Sequence, residues 1–198
     1  GSFYKYEGLG SIYWHMVSKF LLATGEYVRK AVDENCGEEL IEKLIVLYYR
    51  IRAGIGMDKS PSDYGAFPCD PYSHTPSMTG VQQPGMTGQV KEDIISRYIE
   101  LGIIIENGSL GFKPILLRRK EFIKNKQGVE SLEFTVCGTP VRYVIAEKPS
   151  VNIIYRNGDE VSSKELNLSR EQSQAVFSRQ ASIQNIDVRI PGNYLFEN

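Results

Sequence analysis

The sequence predicts an α+β protein, with an N-terminal helical half followed by an antiparallel, β-sandwich-like module. Two observations carry this. Before Gly102 the apolar residues recur at helical spacing, and from Ile103 onward they alternate with polar residues in short runs bounded by turn signals. The expected domains are therefore 1–102, helical with a long loop over 54–87, and 103–198, the β module. Apolar content of 41% beside 24% charge is enough for a real core in each.

Ile12 to Val32 reads as one long helix. Its Tyr13, Met16, Val17, Phe20, Leu21, Leu22 and Val28 spread around most of the wheel, which predicts burial on more than one side. Asp33-Glu34-Asn35 breaks it. A second helix follows over Glu38 to Ala53, with Leu40, Ile41, Leu44, Ile45, Leu47, Tyr48 and Ile51 in helical register, ended by Gly54 and Gly56. The short connector makes the pair an antiparallel αα-hairpin. A third helix is expected over Gly88 to Leu101, with Val90, Ile94, Ile95, Tyr98 and Ile99 inward and Gly102 at the left-handed C-terminal position. Three helices are too few to surround the first. The expectation is either a homodimer or the tail of a larger helical assembly, with the second preferred.

In the β module, Asn107-Gly108 stands between two strand-like runs, the strongest short hairpin signal. LEFTVCGTPVRYVIAE holds two alternating runs around Gly138-Thr139-Pro140, and Asn157-Gly158 marks another turn. AVFSRQ and NIDVRI complete the expected strands.

Composition excludes several function classes. A formal net charge of -1 gives no electrostatic case for a nucleic-acid partner. No apolar run reaches the length of a membrane span, and no signal-like segment is visible at the start, where Gly-Ser has the form of a cloning scar. Cys36, Cys69 and Cys137 fit neither a disulfide framework nor a zinc cluster; they point to a reducing compartment, the cytoplasm before the periplasm. Two histidines, His15 and His74, make a transition-metal site an unexpected feature. No serine lies in a nucleophile elbow, and no Rossmann or Walker glycine pattern occurs.

The unusual feature is DPYSHTPSMTGVQQPGMTGQVKED, from Asp70 to Asp93, a long Pro- and Gly-rich stretch running into a helix. Thr87 stands where a hydroxyl caps the free N–H groups of the third helix. Those N–H groups, the glycine at Gly88 and the positive end of the helix dipole together offer an anion site. His74, held among Tyr72, Thr75 and the prolines Pro71 and Pro76, is the candidate second ligand for phosphate. A threonine in this position commonly does no more than cap. Glu92 and Asp93 suit the helix dipole and oppose a bound phosphate. Asp58, Asp63 and Asp70 read as turn formers.

These residues carry a resemblance. Tyr72-Ser73-His74-Thr75-Pro76, Met86-Thr87-Gly88-Gln89-Val90, the SLGFKPILL strand from Ser109 to Leu117 with Pro114, and the YWHMVSKFLL run from Tyr13 to Leu22 resemble the C-terminal part of the cellobiose and chitobiose phosphorylase-like glycosidases. Those proteins have a six-hairpin (α/α) toroid with β-domains attached. The resemblance implies phosphate or anion binding by His74, Thr87 and Gly88, and sugar contacts from Tyr72, Gln82 and Gln83. Gln89-Val90-Lys91 departs from the Ser-Ala-Gly of that family. Inverting cleavage needs a carboxylic acid to protonate the leaving oxygen. The family's acid comes from an earlier toroid segment that this chain does not contain, so no catalytic residue is assigned and the chain by itself is expected to be inactive. The implied partners are an oligosaccharide or disaccharide, with inorganic phosphate as co-substrate and no other cofactor. The alternative is a non-catalytic carbohydrate-binding or structural domain, dimeric through the first helix.

Overall fold

The computed structural model describes residues 9–54 and 90–197, with side chains described over 16–54 and 92–197. It divides into two units, Gly1–Arg97 and Tyr98–Asn198.

In the first unit, α1 (Leu9–Asp33) and α2 (Glu38–Gly54) pack as a hairpin. The connector follows from local chemistry. Asn35 takes the left-handed conformation at φ 52. The Cys36 N–H then reaches the Ala31 carbonyl at 2.8 Å and the Asn35 N–H the Val32 carbonyl at 3.1 Å. This is a Schellman stop with asparagine in the place more often held by glycine. The α1 face bearing Leu21, Thr24, Val28 and Ala31 is buried, as are Ile45 and Tyr48 of α2. The expected burial of α1 on more than one side is not seen among its described side chains. Met16 is 65%, Phe20 56% and Tyr27 63% exposed, and at 100° per residue they form one stripe about 40° wide.

A sharper difference concerns α3 (Val90–Leu101), whose last turn falls in the second unit. Its apolar residues were expected inward, yet Ile94, Ile95 and Tyr98 are exposed while Glu92, Ser96 and Glu100 are buried. These three stand four residues apart, a polar stripe turned inward. One reason lies in α2: the fully buried Tyr48 directs its hydroxyl to the Ser96 carbonyl at 3.5 Å, and a small side chain at 96 leaves room for that ring.

The second unit holds two β assemblies. β1 (Ile103–Glu106) and β2 (Ser109–Phe112) form a ribbon closed by Asn107 and Gly108 at φ 51 and 79, the two-residue mirror-image turn that Asn-Gly favours. Six strands, β3 (Ile123–Lys124), β4 (Glu130–Val136), β5 (Thr139–Ile145), β6 (Ser150–Tyr155), β7 (Glu160–Ser163) and β8 (Ile183–Ile190), make one open sheet in the order β3-β4-β5-β8-β6-β7. The pairing is antiparallel except between β5 and β8, which run parallel. The architecture is mixed α+β, and the strands gather into a sheet and a ribbon.

The β4–β5 turn sits at Cys137 and Gly138, φ 51 and 85, with Val136 opposite Thr139. It lies upstream of the expected Gly-Thr-Pro, and Pro140 belongs to β5. Pro140 is tolerated there because it follows the hydrogen-bonded pair beside the turn, so its missing N–H faces β8, where pairing starts only at Val141. The expected strand AVFSRQ is not a strand: Ala175 to Phe177 close α4 (Arg170–Phe177), and Ser178 and Arg179 form the turn after it. Ser169 and Gln172 form a capping box, Ser169 Oγ accepting from the Gln172 N–H at 3.2 Å and Gln172 Oε1 from the Ser169 N–H at 2.9 Å.

The core lies on one face of the sheet. Val136, Val141, Tyr143, Val151, Ile153, Ile186, Val188 and Ile190 meet Leu110 and Phe112 of β2, Val176 of α4 and Leu117, all at 3% exposure or less. Burying each aliphatic contributes about 1.5–3 kcal/mol. Residues 166–168 run beside β2, with the Leu168 N–H on the Leu110 carbonyl and the Phe112 N–H on the Leu166 carbonyl. A side chain at Gly111 would stand 2.2 Å from Asn167 Oδ1, so the Asn167 side chain would have to swing aside. Ser173 of α4 accepts from the Leu110 N–H at 2.9 Å and donates to the Ser169 carbonyl at 2.7 Å, so its buried hydroxyl is satisfied twice.

Candidate functional site

The six residues nominated from the sequence, Tyr72, His74, Gln82, Gln83, Thr87 and Gly88, all lie outside the described residues, as do Asp58, Asp63, Asp70 and Cys69. The described chain resumes on the first turns of α3. Glu92 there is 4% exposed, so it does more than suit the helix dipole in solvent. Burial, and then the neighbouring Glu92 charge, push the Asp93 carboxyl above its usual range; Arg52 of α2 opposes the shift. Two adjacent carboxylates, one of them buried, are poor surroundings for a further anion.

Among the described residues, a cluster of polar side chains under an open cleft lies on the outward face of the six-stranded sheet. Strand alternation fixes which residues reach it. With Val141, Tyr143, Ile186 and Val188 inward, Pro140, Arg142, Asn185 and Asp187 point the other way. Register then aligns five side chains in one row across five strands. Glu133 pairs with Arg142, Arg142 with Asp187, Asp187 with Asn152, and Asn152 with Ser162.

Two of the four links in the row are hydrogen-bonded. Arg142 grips Asp187 bidentately, Nε donating to Oδ1 at 3.0 Å and Nη2 to Oδ2. The Asn185 amide donates to Asp187 Oδ1 at 3.1 Å. Further along, the Ser162 hydroxyl donates to Asn152 Oδ1 at 2.8 Å, and the Asn152 amide to Glu160 Oε2 at 3.2 Å. The hydrogen bond to Asp187 raises the Arg142 pKa above its ordinary value, with help from the charges of Asp187 and Glu133. The guanidinium is 47% and the carboxylate 16% exposed, so the pair contributes no more than about 1 kcal/mol to stability. An open cleft of about 620 Å³ lies over this face, walled by Glu133, Thr135, Pro140, Ile154 and Asn185 around the Arg142–Asp187 pair.

Reasoning from the sequence did not find this face. The signal present was Arg142 and Asp187 standing inside otherwise β-branched, alternating runs. What brings them together is the parallel β5·β8 register, which joins residues 45 apart and leaves no local mark. No group of His, Cys, Asp and Glu suited to a metal occurs among the described residues, and no described helix is long and apolar enough to cross a membrane. No protein-family model matches the chain, and no curated protein matches it.

Proposed function

We propose that this chain is the C-terminal part of a carbohydrate-active enzyme of the six-hairpin type, cleaving a glycosidic bond by inverting phosphorolysis or hydrolysis. It supplies anion- and sugar-binding residues; the general acid comes from another segment. The observation that carries the reading is the surface of the helical unit. Met16, Phe20 and Tyr27 of α1 and Leu40 and Leu47 of α2 are exposed apolar side chains on helices that otherwise bury a normal face. In a toroid each hairpin is covered by its neighbours, and further hairpins of that kind account for these stripes. The mostly antiparallel module then corresponds to an attached β-domain.

In this reading His74, Thr87 and Gly88 hold the attacking phosphate through an imidazole, a hydroxyl and backbone N–H groups, while Tyr72, Gln82 and Gln83 meet sugar hydroxyls. A phosphorolytic enzyme needs no carboxylate base, because phosphate itself attacks opposite the acid. In a hydrolase the same pocket admits water.

Calorimetric titration with inorganic phosphate, then with glucose and a β-linked disaccharide, tests the assignment beside His74→Ala and Thr87→Ala. Saturable phosphate binding that both substitutions abolish is the expected result. Sugar binding without phosphate binding turns the reading to hydrolysis. Silence of the folded chain toward every ligand leaves two readings, a half-site that needs further toroid hairpins or a structural domain. The rival reading, a dimeric interaction protein joined through α1, rests on the same stripes and requires a stable dimer in sedimentation equilibrium.

A further inference from the structure

We propose that the outward face of the six-stranded sheet is a second binding site, for an uncharged polyhydroxyl ligand such as a short oligosaccharide, built on Arg142, Asp187 and Asn185. This site lies wholly within the β module and does not rest on the reading of residues 72–88.

Three features of the face lead to this. The first is fixed geometry. Arg142 is held by Asp187, and Asp187 by Asn185, so the polar groups a ligand meets are oriented before it arrives and cost little further ordering. The second is unused capacity directed outward. A guanidinium has five N–H donors, and its bond to Asp187 takes two of them. Asp187 accepts three bonds and keeps about one acceptor site, on Oδ2, beside them. Adjacent donors and acceptors on one rigid pair match neighbouring hydroxyls, each of which both donates and accepts.

The third feature is charge. Arg142 lies in the row between Glu133 and Asp187, and Glu160 stands further along the same face. An anion meets carboxylates on both sides of the guanidinium. A cation has to compete with Arg142 for Asp187. A neutral ligand displaces neither charge and keeps the ion pair intact. Pro140 and Ile154 supply apolar walls of the kind that pack on the C–H faces of a sugar ring, and the cleft of about 620 Å³ falls inside the usual range for small-ligand sites. The face also spans β5·β8, the parallel pair at the centre of the sheet. Parallel strands are ordinarily covered on both sides, and here the described residues cover one.

The test is a set of amide proton–nitrogen correlation spectra of the isotope-labelled chain, titrated with cellobiose, maltose and N,N'-diacetylchitobiose, and separately with inorganic phosphate. Saturable shifts centred on residues 133–142 and 185–187 with at least one disaccharide, and none there with phosphate, are the expected result. Arg142→Ala should weaken that binding about tenfold or more, a typical effect of losing hydrogen bonds to a charged group. Asn185→Ala, which removes one bond to Asp187 and nothing from the inner core, should weaken it less at an unchanged melting temperature and serves if Arg142→Ala perturbs the fold. No shift with any of the three disaccharides, shifts confined to other residues, or phosphate shifting this row overturns the proposal. Phosphate effects on His74 and Thr87 are read from those residues' own signals, so the two sites are judged separately.

Discussion

The Tyr143 hydroxyl donates to the Leu101 carbonyl at 2.6 Å, tying the middle of β5 to the last turn of α3. Leu101 closes its helix, so its carbonyl has no partner within the helix. Tyr143 is 0% exposed and sits edge-on to Phe112 and Phe134, with ring centroids 6.0 and 5.0 Å away. One side chain thus fills the core and satisfies a helix end. Tyr143→Phe should keep the packing and strand the carbonyl, lowering stability in urea unfolding by about 1–3 kcal/mol. The pH dependence has a sign. Burial raises the Tyr143 pKa well above 10.0, so its contribution is complete below that pH and is lost as pH rises beyond it. The wild-type advantage over Tyr143→Phe should therefore shrink above about pH 10 and hold constant below it.

Gly102 separates two kinds of glycine cost. Its φ is +69, and an added Cβ would lie 2.1 Å from the Lys113 carbonyl carbon and 2.3 Å from the Pro114 nitrogen, atoms that cannot swing aside. The Lys113 N–H also bonds the Gly102 carbonyl at 2.7 Å. Gly158, at φ +93, has nothing within 4 Å of the same added atom. Gly158→Ala should cost about 1–2 kcal/mol of backbone strain alone. Gly102→Ala should cost clearly more, above about 3 kcal/mol, because backbone has to move. Equal losses in chemical denaturation would show that the close approach at Gly102 relaxes freely.

Asp93 offers a test in the helical unit. Its carboxyl is held above the usual range by burial and by Glu92, so the ionised form is the less favourable one in the folded state. The sign is opposite to that of a salt-bridged aspartate: stability is fullest below its unfolded pKa and falls as pH rises through the folded value. Asp93→Asn should match wild type in thermal melts near pH 3 and exceed it near pH 7. A melting temperature that falls at neutral pH on this substitution would mean that the attraction to Arg52 outweighs burial.

The sequence was most legible where a feature is set by neighbours along the chain. The α1 stop at Asn35, the Asn107-Gly108 hairpin and the alternation of β4, β5 and β8 each depend on a few consecutive residues. Ala175 to Phe177 read as a strand, which Ala-Val-Phe also suits; the helix start at Ser169 and Gln172 decides for helix, and that reading missed it. The facing of α3 was not legible. Its Ile94, Ile95 and Tyr98 signal an inward stripe, while Tyr48 from another helix occupies the space at Ser96. The Arg142–Asp187 pair was hidden for a similar reason, since only the long-range register of β8 makes the two neighbours.

That register also sets a timetable. β8 is the last strand in the chain, yet it occupies the middle of the sheet, between β5 and β6. Until residues 183–190 leave the ribosome, β3-β4-β5 and β6-β7 are two half-sheets, each with one bare edge awaiting the same strand. Such edges are templates for the wrong partner. The nascent module therefore spends its whole synthesis with its most adhesive surfaces open, and a chain cut short before Ile183 should be met by chaperones or aggregate rather than settle into a smaller fold.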